Sequence, residues 1–390
     1  MKRNRTRLTT CVISAALLTA VVASPTLGSA AGLSNAPFAI KATNAEKPGI
    51  FAIKPFLKDG VPTPVVTPQP TPTTTPGSGT GGTATPTPPV TATPTPPPTT
   101  APAPSYPTPT DEVTFNWTVL PDGTASLSSM RSGFAITDIV IPKTANVNGA
   151  NRVVTAIAAS AFSDRGITSV VIPDTVSSIG SYAFAGNKIT SVALPKSLTV
   201  ITTGIFNNNK ISSLVIPDNI TSIGQSAFQT NAISSLTLGK SVATLGVFAF
   251  DQNALTTVAI PASLTSINSN AFSNNSLQSI SIPGTVESIG TSAFRSNGLK
   301  TVNLSTGLKT IGANSFRANP DISVITIPST VTSIGDTAFD SVNLKRINME
   351  GNAPTANTGI FGTGTGKTVY YKVGTTGYTN PWKGYPTATY

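Results

Sequence analysis

The sequence predicts a solenoid of about eight stacked 22-residue repeats, mainly β with short helical turns, capped at both ends and preceded by a disordered Pro/Thr linker. Three observations predict it. Phenylalanine recurs at Phe162, Phe184, Phe206, Phe228, Phe250, Phe272, Phe294 and Phe316, each 22 residues after the last, and Phe339 follows with one residue inserted near Pro320. Asparagine recurs three residues after these rings, at Asn187, Asn209, Asn231, Asn253, Asn275, Asn297 and Asn319. Upstream, residues 61–110 hold 17 Pro and 17 Thr and no charged residue, a composition that cannot bury a core.

The first stretch, 1–31, lies outside this fold. Lys2, Arg3, Arg5 and Arg7 form a basic start, residues 11–23 are apolar but short for a bilayer, and Gly28-Ser29-Ala30-Ala31 supplies small residues for cleavage. That is a secretory signal peptide, cut after Ala30 or Ala31, so the mature chain is expected outside the cytoplasm with no transmembrane segment. Cys11, the single cysteine, leaves with the signal, and the chain has no histidine. A disulfide, a thiol nucleophile and the commonest general base and metal ligand are therefore excluded. The formal charge of +10 falls to +6 without the four signal cations, and Lys and Arg do not gather on one aromatic-studded face, so no nucleic acid is expected as a partner.

Residues 32–60 carry a doubled Phe-Ala-Ile-Lys, Phe38–Lys41 and Phe51–Lys54. A basic, apolar surface-association element and a disordered leader both fit. The linker, 61–111, reads as an extended polyproline II spacer with the composition of wall-crossing or glycosylated stalks.

Residues 112–161 read as an N-terminal cap. FNWTVLPDGTASL (115–127) is a hairpin turning at Asp122-Gly123, and Ile139, Ile141 and Pro142 begin a degenerate first rung with a loop inserted at about 144–152. In the solenoid proper, 162–349, apolar residues stand five, eight and ten after each Phe: Ile211, Leu214 and Ile216 in one repeat, Leu277, Ile280 and Ile282 in another. They spell L-x-x-L-x-L, whose closing alternation marks a strand with one face inward. Pro173, Pro217 and Pro283 close such strands. The V-x-x-I-G that follows is a second short extended piece, and A-F sits on a tight helical turn with Phe184, Phe206, Phe228, Phe250, Phe272 and Phe294 plugging the core. The Asn column is expected to cap backbone groups of its own rung and the next. A lone rung buries too little to offset ordering its backbone, whereas stacked rungs share both faces. Residues 350–390 hold Trp382 and most of the tyrosines, an aromatic lid for the last rung.

The set I-P-x-x-V-x-x-I-G-x-x-A-F, the preceding L-x-x-L-x-I, the D-G-T hairpin and the G-N-A-P…Y-Y…G-Y…W…P-T tail resemble the BspA-type leucine-rich repeat family over roughly residues 112–390. The resemblance implies a right-handed leucine-rich repeat solenoid in a bacterial surface or secreted protein, with a role in binding or adhesion and no particular ligand. Family members often have Cys where this chain has its Asn ladder.

No catalytic constellation stands out. Asp251, Glu287, Asp321, Asp336 and Asp340 are isolated, whereas a glycosidase needs two facing carboxyls. TGIFGTGTGK (358–367) has the look of a phosphate loop, but it lies in the cap with no helix after it. Asp174, Lys196, Asp218 and Lys240 share one column in alternating sign and read as a surface charge ladder. No cofactor and no metal are expected, and the protein is expected to be a monomer and not an enzyme.

Binding remains. The outward strand residues, six, seven and nine after Phe, are small through most of the array: Thr168, Ser169 and Val171, then Thr190, Ser191 and Ala193, then Ser212, Ser213 and Val215. Toward the C-terminus the same columns hold Gln278, Lys300, Asn303, Lys345, Arg346 and Asn348, with Arg295 and Arg317 nearby. This basic, amide-bearing end is the candidate contact site for an acidic extracellular protein or glycan. Two other readings stand beside it. One is a carbohydrate- or wall-binding module using Tyr378, Trp382 and Tyr385, and the other an ice or mineral binder using the flat Ser/Thr columns.

Overall fold

A computed structural model describes residues 107–341 and 343–390. The expected signal peptide, the segment 32–60 and most of the linker lie outside the described residues. The chain is a β-solenoid of about 11 turns with almost no helix. The single helix among the described residues is the 3₁₀ turn Glu112–Thr114, capped by the Asp111 side chain.

The coils stack on one continuous core. From Phe162 to Phe339 each ring lies parallel to the next, with centroids 5.1–5.8 Å apart. Phe361 extends the column at 6.1 Å with a 33° tilt. It stands 22 residues after Phe339, so the period runs one rung into the expected cap. Every ring in the column is fully buried. Spacings near 5 Å match the distance between hydrogen-bonded strands. One ring per coil is therefore what the backbone ladders dictate.

Two sets of parallel ladders run along the stack. Pairs in the first include Ser213–Val215 with Ser235–Thr237, Ser279–Ile282 with Thr301–Leu304, and Val324–Ile327 with Arg346–Met349. Strands Thr368–Tyr371 and Thr387–Thr389 continue it, so the C-terminal cap prolongs the sheet as well as covering it. The second set joins the Ser-Ile or Thr-Leu pairs of V-x-x-I-G, such as Ser222-Ile223 between Val200-Ile201 and Thr244-Leu245. The glycine ending that motif has a steric cause. A Cβ at Gly246 would fall 2.3 Å from the Gly224 carbonyl carbon one coil earlier.

The expected short helical turns are single i→i+3 turns. Ala183 N–H donates to Gly180 O, and Ala185 N–H to Tyr182 O. Left-handed residues two before and two after each Phe from Phe162 to Phe316, such as Ser226 (φ 52°) and Thr230 (φ 57°), reverse the chain and prevent a second helical turn.

The N-terminal cap needs one correction. Residues 144–152 do not form a loop: Thr144–Val147 and Ala150–Ile157 pair antiparallel. Their turn residues Asn148 (φ 55°) and Gly149 (φ 79°) are both left-handed, which suits a tight hairpin. The hairpin Phe115–Val119 with Ala125–Met130 packs against it, and Phe115 meets Phe162 edge-on at 5.9 Å to close the stack.

Candidate binding face at the C-terminal rungs

The Asn column holds the turns together. Asn209 Nδ2 donates to Phe184 O at 2.9 Å, Phe206 O at 3.2 Å and Asn207 O at 3.3 Å, while its Oδ1 accepts from Ile189 N–H at 3.0 Å. Asn187, Asn231, Asn253, Asn275 and Asn297 repeat the same donation to the Phe carbonyl of the coil before. Each amide thus reaches back to the preceding rung, where the sequence suggested the next. Asp251, buried beside this column, accepts from Ser273 Oγ at 2.6 Å, Asn274 Nδ2 at 2.8 Å and Gln229 Nε2 at 2.9 Å. Its carboxylate ties turns of adjacent coils.

The eight candidate contact residues divide between two faces. Gln278, Lys300, Asn303, Lys345, Arg346 and Asn348 lie on or beside the main strands, while Arg295 and Arg317 immediately follow their Phe on the turns. Arg317 is committed: its Nε lies 3.3 Å from Asp340 Oδ2, and its Nη1 donates to Asn314 Oδ1. On the strand face, register places Arg346 beside Thr368, and Asn348 between Thr326 and Tyr370. Arg346 Nε donates to Asn348 Oδ1 at 2.8 Å, and its guanidinium sits 4.0 Å from the centre of the Tyr370 ring. Asn348 Nδ2 donates in turn to Thr326 Oγ1. Asn303 Nδ2 does the same to Ser281 Oγ one rung back. Lys345 Nζ reaches the Thr365 carbonyl at 2.9 Å. Arg346 is thereby held on an aromatic face with its fork directed by an amide, a geometry suited to carboxylate.

Sequence reasoning missed Tyr370 and Lys367. Both become visible once Phe361 is admitted to the period, since they then fall nine and six residues after it, in the columns of Asn348 and Lys345. Lys367 is buried, and its ammonium donates to Ser341 O. Burial holds its pKa below the usual lysine value, opposed by the Asp340 charge.

The cap aromatics are packed rather than displayed. Trp382 is 3% and Tyr385 7% exposed. Tyr385 Oη accepts from Phe361 N–H and donates to Gly362 O, while half-buried Tyr378 stacks on Tyr371 at 4.5 Å and donates to Gly351 O. Burial pushes the phenols of Tyr378 and Tyr385 above the ordinary tyrosine value. The charged column forms pairs instead of a continuous ladder, Lys196 with Asp174 at 3.8 Å and Lys240 with Asp218 at 3.0 Å.

The profile of the BspA type Leucine rich repeat region matches in six copies, over residues 155–277 and 244–368, more than half of the chain. The protein belongs to this family. No curated protein matches it. Among solved structures it is similar to a leucine rich cell surface protein of Faecalibacterium prausnitzii A2-165, with 19% identity over 68% of this chain and 95% of that one and a TM-score of 0.35. The Treponema (T. pallidum) leucine rich repeat protein TpLRR is 23% identical over 48% of this chain and 88% of its own, with a TM-score of 0.40. The pneumococcal vaccine antigen PcpA is 19% identical over 66% and 85%, with a TM-score of 0.42. The family assignment rests on the repeat profile. As a BspA-type repeat protein, the chain offers a scaffold for binding proteins, and no helix among its described residues is long and apolar enough to cross a membrane.

Proposed function

We propose that this BspA-type repeat protein is a secreted or cell-surface binding protein that captures an acidic extracellular protein, without catalysis, through its C-terminal strand face. The observation that carries the reading is Arg346 held between Tyr370 and Asn348, with Lys345 beside it, Asn303 on the strand Thr301–Leu304 and Lys300 just before that strand. Six of the eight candidate residues belong to this face. Arg295 is a flanking cation, and Arg317 pairs with Asp340 on the turn face. A buried or aromatic-anchored Arg loses less conformational freedom on meeting a carboxylate than a free side chain does.

A glycan is a weaker partner for this face. Tyr370 is covered by Arg346, and Trp382 and Tyr385 are buried, so the rings that a sugar would stack on are occupied. The Ser/Thr columns are interrupted by exposed Val215 and Val324, which disfavours a regular ice or mineral lattice match. The test is capture of extracellular matrix proteins, peptidoglycan and glycans by the mature chain, repeated with Lys345→Glu/Arg346→Glu. Capture of an acidic protein, weakened at least about tenfold in the double variant, supports the reading. Undiminished capture by the variant overturns it.

A further inference from the structure

A Gly/Thr-rich loop in the last rung, joined to the strand face by the bond from Lys345 Nζ to Thr365 O, borders an open hollow of about 500 Å³. Its walls include Thr363, Gly364, Thr365, Gly366, Lys367 and, from the final turn of the chain, Lys383. Gly362 (φ 78°) and Gly366 (φ 75°) are left-handed, so the loop curls on itself before Thr368 enters its strand. Thr368 does follow the Gly-Lys pair, but it opens a strand and not a helix, so the site lacks the helix terminus of a nucleotide loop. The loop closes with the bond from Gly362 N–H to Gly359 O. Among the described residues, the amide protons of Thr363 to Lys367 find no acceptor. Successive backbone N–H groups in a turn conformation make concavities that take anions, and this loop offers such groups beside the hollow.

The charge balance points the same way. Lys367, Lys383, Lys345 and Arg317 gather around this rung, and the carboxylate that acts on Lys367 is Asp340. Asp340 is already paired with Arg317. Among the described residues no carboxylate pairs directly with the buried Lys367 ammonium, on which Asp340 acts from a greater distance, and the Ser341 carbonyl is its hydrogen-bond partner. No acidic residue lines the hollow. A buried cation whose nearest counter-charge is already shared with Arg317 is costly, and an anion in the hollow offsets that cost.

We propose that this loop binds a small tetrahedral oxyanion, sulfate or phosphate, free or as the ester group of a larger ligand. The loop amides would hold the oxyanion, with Lys383 closing over it and Lys367 compensating its charge from beneath. The site uses Lys367 and Lys383, which lie outside the acidic-protein reading; Lys345 touches both through the Thr365 carbonyl, so a change at Lys383 tests this site apart from that reading.

The mature chain would be titrated with sodium sulfate and sodium phosphate against sodium chloride at matched ionic strength, following amide resonances. Saturable shifts confined to Thr363–Lys367 are expected with the oxyanions and not with chloride. Lys383→Met should weaken the apparent affinity at least about tenfold while leaving the melting temperature in chloride unchanged. Because sulfate stabilises proteins generally, the thermal readout is the difference between wild type and Lys383→Met in sulfate, which is positive if the site exists. A sulfated monosaccharide that binds more tightly than free sulfate assigns the site to an ester, and one that binds no better assigns it to the free ion. The absence of saturable shifts in the loop, or equal affinity in Lys383→Met, overturns the proposal. If the variant is unstable, Gly364→Val, which crowds the loop from a half-buried position in the hollow's wall, replaces it with the same expectation.

Discussion

Asn209 shows how much one side chain does in this molecule. It is 2% exposed and satisfies carbonyls on two coils while accepting an amide proton from the earlier one. Asn209→Ala leaves those buried groups without partners, and a loss of about 2–4 kcal/mol in urea unfolding is expected. Asn209→Asp should be at least as damaging, because a carboxylate oxygen then faces the carbonyls of Phe184 and Phe206. Equal stability of both variants and wild type would show that the column is decorative. The period of the amides is legible in the sequence. Their backward reach is not, because spacing fixes which residues are neighbours but not which way a side chain leans. Arg346 was likewise readable as a basic residue in an outward column. Its seat on Tyr370 was hidden by the cap boundary, drawn before Phe361.

Elements differ in how far pattern reveals them. The strand columns were plain from alternation, while the hairpin across Asn148-Gly149 passed as a loop because it interrupts the 22-residue period, although its strands, Thr144–Val147 and Ala150–Ile157, place Ala145, Val147, Val154 and Ile157 in the core. The glycine of V-x-x-I-G was visible as a column, but its cause is contact with the neighbouring coil. Gly246→Ala should therefore cost about 1–3 kcal/mol by overpacking, more than Gly298→Ala, whose Cβ would press on the movable end of the Gln278 side chain rather than on backbone. Denaturant midpoints of the two variants measure this, and equal costs would contradict it. The C-terminal cap carries its own pH signature. Folded Tyr378 and Tyr385 hold their protons above the ordinary value, so the unfolded chain releases them first and cap stability falls as pH rises above about 10. Lys367 titrates in the opposite sense, its depressed pKa favouring the folded state as pH rises toward the unfolded lysine value. In Lys367→Met, near-ultraviolet circular dichroism of the cap should therefore show the loss above pH 10 without that compensation. A cap as stable at pH 11 as at pH 8 would contradict the assignment.

For the whole molecule, stacking makes each coil interchangeable in kind. The fold class, the period and the Phe core followed from 22-residue spacing because a solenoid writes its contacts into sequence distance. Removing one whole rung, residues 229–250, should leave a folded and slightly less stable protein, whereas removing 229–239 shifts every column and should abolish cooperative melting. Circular dichroism melts of the two deletions distinguish them, and equal outcomes would contradict the stacked architecture. What the period cannot write is the ligand, since the same columns recur whatever the outward residues do. The proposed function rests on the few positions where those columns turn basic. The most direct test is the affinity of the mature chain for an acidic extracellular protein, measured across a range of salt in wild type and in Lys345→Glu/Arg346→Glu. The expected result is binding that weakens with salt and falls at least about tenfold in the double variant. Salt-independent binding of equal strength in both proteins would contradict the account.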